Sequence, residues 1–138
     1  MTQRLDFVDD LMLDAMESSS VTFWEVAGLA STAFPDLGPK GAQEFAEDVI
    51  RDLLARGWLE ILSQTAEDFE AAPLRPEPVD STRIPGALQD ETQWSREKIG
   101  ESLTRYFIHA TSRGRQELQA SLRERGLYRD GPGAKPTS

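Results

Sequence analysis

The sequence predicts a mostly helical α+β domain, and three observations lead to this prediction. Apolar residues recur at helical spacing in three successive segments of the N-terminal half. Two short runs typical of strands follow, at 58–62 and 103–110, and a last helix can start at Thr111. The length of 138 residues fits one domain. We therefore expect a single domain over 1–126 and a disordered Gly/Pro-rich tail over 127–138.

Each of the three N-terminal helices has its own start or stop residues. The first is predicted over 4–17, where the apolar residues form one stripe. The second begins at Thr22, whose side chain can cap the free amides, while Glu25 can bond back to the Thr22 amide. The third is predicted over about 41–56, and Gly57 can end it in a left-handed conformation.

The segment between the two predicted strands is the least regular part of the sequence. We expect 63–102 to form an irregular insertion, because 71–79 contains three prolines that favour an extended loop. A short helix can open near Pro85 and run to about Trp94.

Two segments resemble the winged-helix superfamily. Residues 49–61, Val-Ile-Arg-Asp-Leu-Leu-Ala-Arg-Gly-Trp-Leu-Glu-Ile, look like its third helix running into the first wing strand. Residues 106–115, Tyr-Phe-Ile-His-Ala-Thr-Ser-Arg-Gly-Arg, are similar to its second wing strand entering a closing helix. The resemblance implies a helical trio with a two-stranded wing hairpin and a C-terminal helix. The usual hairpin has a tight tip, so 63–102 would be a long wing insertion.

The distribution of charge favours a basic partner over nucleic acid. The net charge is −9, with −7 in 1–56, −5 in 57–100 and +3 in 101–138. A strongly negative body repels phosphate and speeds encounter with a cationic protein. There is no cysteine, which excludes disulfides and sulfur-ligated zinc and is compatible with the cytoplasm, the localisation we expect. No stretch has the length and apolarity of a membrane span.

The third helix is the one that a winged-helix protein usually inserts into the major groove, so its polar face is decisive. A groove-reading face needs cationic or amide side chains, yet four of the six residues here are acidic. They are Gln43, Glu44, Glu47, Asp48, Arg51 and Asp52. Three interpretations stay open: a solvated face with Glu47–Arg51 and Asp52–Arg56 pairs, a surface for a basic protein, or a DNA contact.

The first helix has a second acidic stripe. Asp6, Asp10, Asp14 and Glu17 are spaced by four, four and three residues, which places them on one helix face. The stripe is either a docking surface for a cationic partner or a solubilising face. Carboxylates in a row along one helix do not encircle an ion, so we expect no metal site.

The C-terminal helix is the only basic element. Its arginines are Arg113, Arg115, Arg123, Arg125 and Arg129. The first two lie at the helix N-terminus against the helix dipole, so we expect them to pair with acids of the first or second helix. Alternatively Arg113, Arg115 and Arg123 bind nucleic acid or another anion together with Thr111 and free amides. A third alternative is a homodimer in which this helix docks on the acidic helix of a second copy.

Catalysis is not expected, and no cofactor is implied. His109, the only histidine, has the context of a half-buried structural residue, and no nucleophile elbow or Gly-Lys-Ser/Thr phosphate loop is present. Trp94 either pins the insertion to the core or is an exposed aromatic anchor for a partner.

The function predicted from these features is a non-enzymatic protein-interaction domain. Its acidic surface suits a basic protein, and an immunity- or antitoxin-like protein is one version of this prediction. The alternative is a winged-helix transcription regulator that contacts DNA through the basic C-terminal helix and the wing.

Overall fold

The computed structural model describes residues 2–17, 21–65, 77–102 and 104–126 of the chain. Five α-helices and four β-strands occur in these ranges: α1 Thr2–Glu17, β1 Val21–Thr22, α2 Phe23–Ala33, α3 Gly38–Ala55, β2 Leu59–Thr65, β3 Glu77–Pro78, α4 Ile84–Gln89, β4 Thr104–Ala110 and α5 Ser112–Glu124. The mostly helical α+β class is therefore confirmed. The tail predicted over 127–138 and much of the proline-rich loop lie outside the described residues.

The strands form one antiparallel sheet in the order β1-β4-β2-β3. The predicted pair is its centre, with Leu59 opposite Ala110 and Thr65 opposite Thr104. The sheet is nevertheless larger than the expected two strands, because β1 adds to β4 and β3 adds to β2. Each added strand has only two residues, which is too short to show the alternation that identifies a strand in a sequence.

The core lies between the helices and one face of this sheet. Helices α1, α2 and α3 contribute its large apolar residues, and β2, β4 and α5 close it. Its fully buried side chains include Phe7, Leu11, Met12, Phe23, Val26, Ile50, Leu53, Ile61, Ile108 and Leu118. The apolar stripes of α1 and α3 therefore face inward, and the acidic residues between them face outward.

The ends of α2 and α3 are formed as the sequence predicts. The Thr22 amide donates to the Glu25 carboxylate at 3.3 Å, which completes a capping box at the start of α2. At the end of α3, Gly57 has φ +77° and the Trp58 amide donates to the Leu53 carbonyl at 2.9 Å. This left-handed turn delivers the chain directly into β2.

A close approach at Gly114 joins α5 to α1 and to the start of β2. Gly114 is buried, and a Cβ at this position would collide with the Trp58 carbonyl and lie 2.9 Å from the Met12 side chain. The same Trp58 carbonyl accepts a hydrogen bond from the Thr111 amide at 2.9 Å. Only glycine lets the backbones meet at this point.

Residues 77–102 are more regular than predicted and pack onto the domain. They contain β3, α4 and short 3-10 turns, among them Glu91–Trp94. The buried Gln93 side chain forms two hydrogen bonds with the β4 backbone. It donates to the Thr104 carbonyl at 2.6 Å and accepts from the Tyr106 amide at 3.1 Å. These bonds satisfy the part of the β4 edge that short β1 leaves open.

Trp94 is buried, with 7% of its surface exposed. Its indole N–H donates to the Leu88 carbonyl at 2.8 Å, and its ring packs against Phe23 with centroids 5.2 Å apart. Trp94 thus pins the insertion to the core, and its assignment as an exposed anchor for a partner is wrong. The indole has both an apolar face to bury and a partner for its N–H, which explains its position.

Candidate protein-interaction surfaces

The acidic stripe of α1 forms a continuous exposed surface, which we call the acidic ridge. It consists of Asp6, Asp10, Asp14 and Glu17, all exposed. Leu13 projects among them and is 40% exposed, one of two large apolar side chains with this exposure among the described residues. The ridge therefore combines carboxylates with an apolar contact.

Charge within the ridge is concentrated enough to perturb Asp10. Partial burial raises the pKa of the Asp10 carboxyl above its usual value, and the negative charges of Asp14, Asp9 and Asp6 raise it further. A raised pKa means that the folded protein disfavours the ionised form of the Asp10 carboxyl. A cation placed on the ridge would relieve this repulsion.

Among the described side chains, Asp9 is the acid of α1 that is paired with a cation. It is buried, and both its oxygens accept hydrogen bonds from Arg125 at the end of α5, at 2.7 and 2.8 Å. This bidentate pair raises the pKa of Arg125, chiefly through the hydrogen bond to Asp9. The pair attaches α5 to α1 and leaves the outer carboxylates of the ridge facing solvent.

The outer face of α3 is compensated within the helix itself. Arg51 donates to Glu47 at 3.1 Å and Arg56 donates to Asp52 at 3.3 Å, so both predicted pairs are present. Glu44 and Asp48 are the other acids of this face, and both are exposed. Residues 38–56 contain four acids and three bases, whereas 2–17 contain five acids and one base.

A groove of about 260 Å³ runs between the acidic ridge and α2. Its apolar lining comes from Leu11, Val21, Val26 and Leu29, and its rim carries the carboxylates of Asp14, Glu17 and Glu25. Glu25 was absent from the predicted site, because the sequence assigns it to the capping box. Its position beside α1 follows from the packing of α2, which sequence spacing does not reveal.

The predicted anion site is only partly brought together: Arg113 and Thr111 both lie at Gly57, whereas Arg115 lies at the end of α1. Arg115 donates to the Met16 carbonyl at 3.3 Å, at the end of α1, and Arg113 lies over Gly57. The Thr111 hydroxyl accepts from the Gly114 amide at 2.9 Å and donates to the Gly57 carbonyl. Its one hydroxyl hydrogen is therefore donated inside the fold, so the Thr111 hydroxyl has none left to donate to an anion.

Pairing between α5 and α1 involves a different arginine from those expected. Arg125 pairs with Asp9, whereas Arg115 reaches a backbone carbonyl of α1 and no carboxylate among the described residues is bound to it. Arg123 also has a partner within the chain. The expected link between the basic and acidic helices exists, but it lies at the other end of α5.

His109 lies half-buried on β4 opposite Glu60 of β2. Its Nδ1 is 2.9 Å from the Glu60 carboxylate, so the pair forms a cross-strand contact on the sheet. In the part of the chain that the structure describes, no three His, Asp or Glu side chains are arranged to hold a metal ion. Likewise, none of the described helices is long and apolar enough to cross a membrane.

The sequence matches no known family, and comparisons with characterised proteins and with solved structures found none that is similar.

Proposed function

We propose that this chain is a winged-helix-like protein-interaction domain, without catalytic activity, whose acidic ridge binds a basic surface of another protein. The observation that underlies the proposal is the negative charge of the acidic ridge, whose carboxylates form no ion pair with another described side chain. Four exposed carboxylates and an exposed leucine share one helix face. Partial burial, followed by the negative charges of Asp14, Asp9 and Asp6, raises the pKa of the Asp10 carboxyl. A cationic partner would gain from the same charges that repel one another in the free protein.

The order of elements supports the winged-helix part of the proposal. Helix, short strand, two helices and a strand pair follow one another, and β1 lies beside β4 rather than β2. In such a fold α2 and α3 form the helix-turn-helix pair, and β2 and β4 are the wing strands. The well-packed segment 77–102 would replace a groove-inserting tip.

The surface chemistry defines the kind of partner. Lysine and arginine have long apolar stems and a cationic end, so they suit a groove with an apolar floor and a carboxylate rim. The groove beside the ridge is lined by both kinds of residue, the apolar side chains of Val26 and Leu29 and the carboxylates of Asp14 and Glu17. We therefore propose a partner with a projecting cluster of basic side chains. An acidic protein that neutralises a basic toxin, as in immunity or antitoxin pairs, is one version.

Capture experiments with two matched variants test this proposal. The ridge variant replaces Asp10, Asp14 and Glu17 by their amides, and the face variant does the same to Glu44, Glu47 and Asp48. Both remove three charges, so a difference between them reports position rather than net charge. We expect wild type and face variant to retain the same basic protein from a lysate and the ridge variant to lose it. Equal loss in both variants, or capture of no basic protein, would contradict the proposal.

The alternative function is a DNA-binding regulator, which the order of elements alone favours. It requires α5 cations on an outer face, yet Arg115 and Arg125 contact α1. An electrophoretic shift assay with duplex DNA at about 50 mM salt separates the two functions, because phosphate contacts are strongest at low salt. We expect no shift. A shift that weakens steeply with salt and is lost in Arg113→Gln would favour the regulator.

A further inference from the structure

A second concave surface lies on the side of α2 away from the ridge groove, where segment 77–102 meets the helices. Its volume is about 640 Å³, within the range of clefts that hold small organic ligands. Helix α2 forms the floor, the start of α3 forms one wall, and the turn at 91–96 forms the other. We call it the α2–α3 cleft. Its apolar lining residues are Trp24, Ala27, Pro39, Ala42 and Trp94.

The rim of the α2–α3 cleft has the opposite charge from the rest of the molecule. Lys40 and Arg96 line it, against a single acid, Glu91, whereas the whole chain has a net charge of −9. The Arg96 guanidinium lies over the Trp24 ring, 5.8 Å from its centroid, which orients it at the mouth. Neither the Lys40 ammonium nor the Arg96 guanidinium donates a hydrogen bond to another described residue.

Gly28 provides an independent indication that the cleft receives a ligand. It lies in the interior of α2 on the cleft floor, is exposed, and does not have a positive φ. A Cβ there would meet nothing within 4 Å. Glycine in a helix interior is less stable than alanine, so neither packing against the described residues nor backbone conformation accounts for glycine at this position. A ligand that lies against the α2 backbone would account for it.

We propose that the α2–α3 cleft binds a small organic acid with a flat apolar body. The body would lie between the Trp24 and Trp94 side of the cleft and the backbone at Gly28. The carboxylate would face Lys40 and Arg96, since a charge-assisted hydrogen bond to guanidinium is among the stronger polar contacts. This site is separate from the acidic ridge, which has the opposite charge and lines a different groove.

The probe for the test is naphthoate, with naphthylmethanol as the uncharged analogue of the same shape. Binding is followed by NMR of the indole N–H groups, and the chain offers its own control. Trp24 and Trp94 line the cleft, while Trp58 lies elsewhere, beside Arg56. We expect naphthoate at up to about 10 mM to shift the first two resonances saturably and to leave Trp58 unchanged. Naphthylmethanol should bind at least about tenfold more weakly.

Three variants complete the test. Arg96→Gln should weaken naphthoate binding about tenfold and leave naphthylmethanol unaffected, whereas Arg83→Gln, an exposed arginine outside the cleft, should change neither. Gly28→Ala should raise the melting temperature by about 3 °C and still weaken naphthoate binding several-fold. This opposite response separates lost binding from lost folding.

The proposal fails if naphthoate shifts neither indole, if the uncharged analogue binds equally well, or if Gly28→Ala binds as tightly as wild type. Displacement of naphthoate by polyglutamate but not by other aromatic carboxylates would assign the cleft to an acidic polypeptide, and this too would overturn the small-molecule occupant.

Discussion

Helices α1 and α3 both present acidic outer faces, but they differ in which acids form ion pairs and where the paired arginines come from. On α3 each of two acids has an arginine four residues later, at Glu47–Arg51 and Asp52–Arg56. On α1, Asp9 is the only acid paired with an arginine among the described side chains, and that cation comes from α5. The comparison teaches that the number of acids on a helix does not identify a docking surface. The spacing of opposite charges decides whether the helix neutralises itself.

The two faces also differ in their apolar content. The acidic ridge includes exposed Leu13 and borders an apolar groove, whereas the polar face of α3 consists of charged and amide residues. Buried apolar area and complementary charge act together in most interfaces. This difference is why the ridge, and not the helix that a winged fold would insert into DNA, is the surface on which the proposed function rests.

The largest effect is expected where α5 fixes α1 to the rest of the domain. Gly114→Ala places a Cβ against the Trp58 carbonyl and near Met12, and backbone at this point cannot move aside as a flexible side chain would. We expect the free energy of unfolding to fall by about 3 kcal/mol or more in a urea titration. Gly28→Ala is the matched control, since its Cβ meets nothing and should stabilise α2 by about 1 kcal/mol. Equal changes in unfolding free energy for the two substitutions would contradict the close contact between Gly114 and the Trp58 carbonyl.

Breaking one ion pair of α1 and one of α3 tests whether the two pairs contribute differently to stability. Arg125→Met leaves the Asp9 carboxylate buried without its cation, and we expect a loss of about 2 kcal/mol. Arg51→Met removes an exposed pair on α3 and should cost less than about 0.5 kcal/mol. Adding Asp9→Leu to Arg125→Met should recover much of the loss, because no orphaned charge then remains. Similar losses of unfolding free energy in the two arginine variants would show that the α1–α5 ion pair stabilises the fold no more than the exposed pair on α3.

The smallest effect concerns repulsion within the ridge. Asp10 has a raised pKa in the folded protein, so the folded state holds this proton more tightly than the unfolded chain. Stability from this group is present below pH of about 4 and is lost as the pH rises through the raised pKa. Asp10→Asn should therefore stabilise the protein at neutral pH by a few tenths of a kcal/mol, a small value because the side chain is exposed and screened.

The control for the Asp10 substitution is Glu44→Gln, which neutralises an exposed acid of α3. It should change stability at neutral pH less than Asp10→Asn does. Both urea titrations should be repeated in high salt, where the difference should shrink. A destabilising effect of Asp10→Asn that persists in salt would contradict mutual repulsion in the ridge.

Local patterns in the sequence predicted the elements well. The capping box at Thr22, the left-handed Gly57 and the pairing of 58–62 with 103–110 all depend on neighbouring residues or on alternation, and each is present. The stripe of α1 acids on one face follows from helix geometry in the same way. The predicted pairs on α3 are also present, since i, i+4 spacing fixes them within a helix.

Apart from the pairing of the two predicted strands, contacts between distant segments could not be predicted. Asp9 and Arg125 are 116 residues apart, and nothing in local spacing distinguishes Arg125 from Arg115 as the partner of an α1 acid. Gln93 satisfies the edge of β4 from the insertion, where the sequence predicts a short helix but not its contact with the sheet. Strand β1, with two residues, exists only because β4 offers it an edge. These features depend on tertiary packing, which overrides local propensity.

The most direct test of the central claim is to find where a cationic probe binds. A short lysine-rich peptide is titrated into isotopically labelled protein at low salt, and backbone amide shifts are followed by NMR. The account predicts that the largest shifts occur at Asp6, Asp10, Leu13, Asp14 and Glu17 and that they disappear in the ridge variant but not in the face variant. Larger shifts at Glu44, Glu47 and Asp48 would contradict it and move the binding surface to α3.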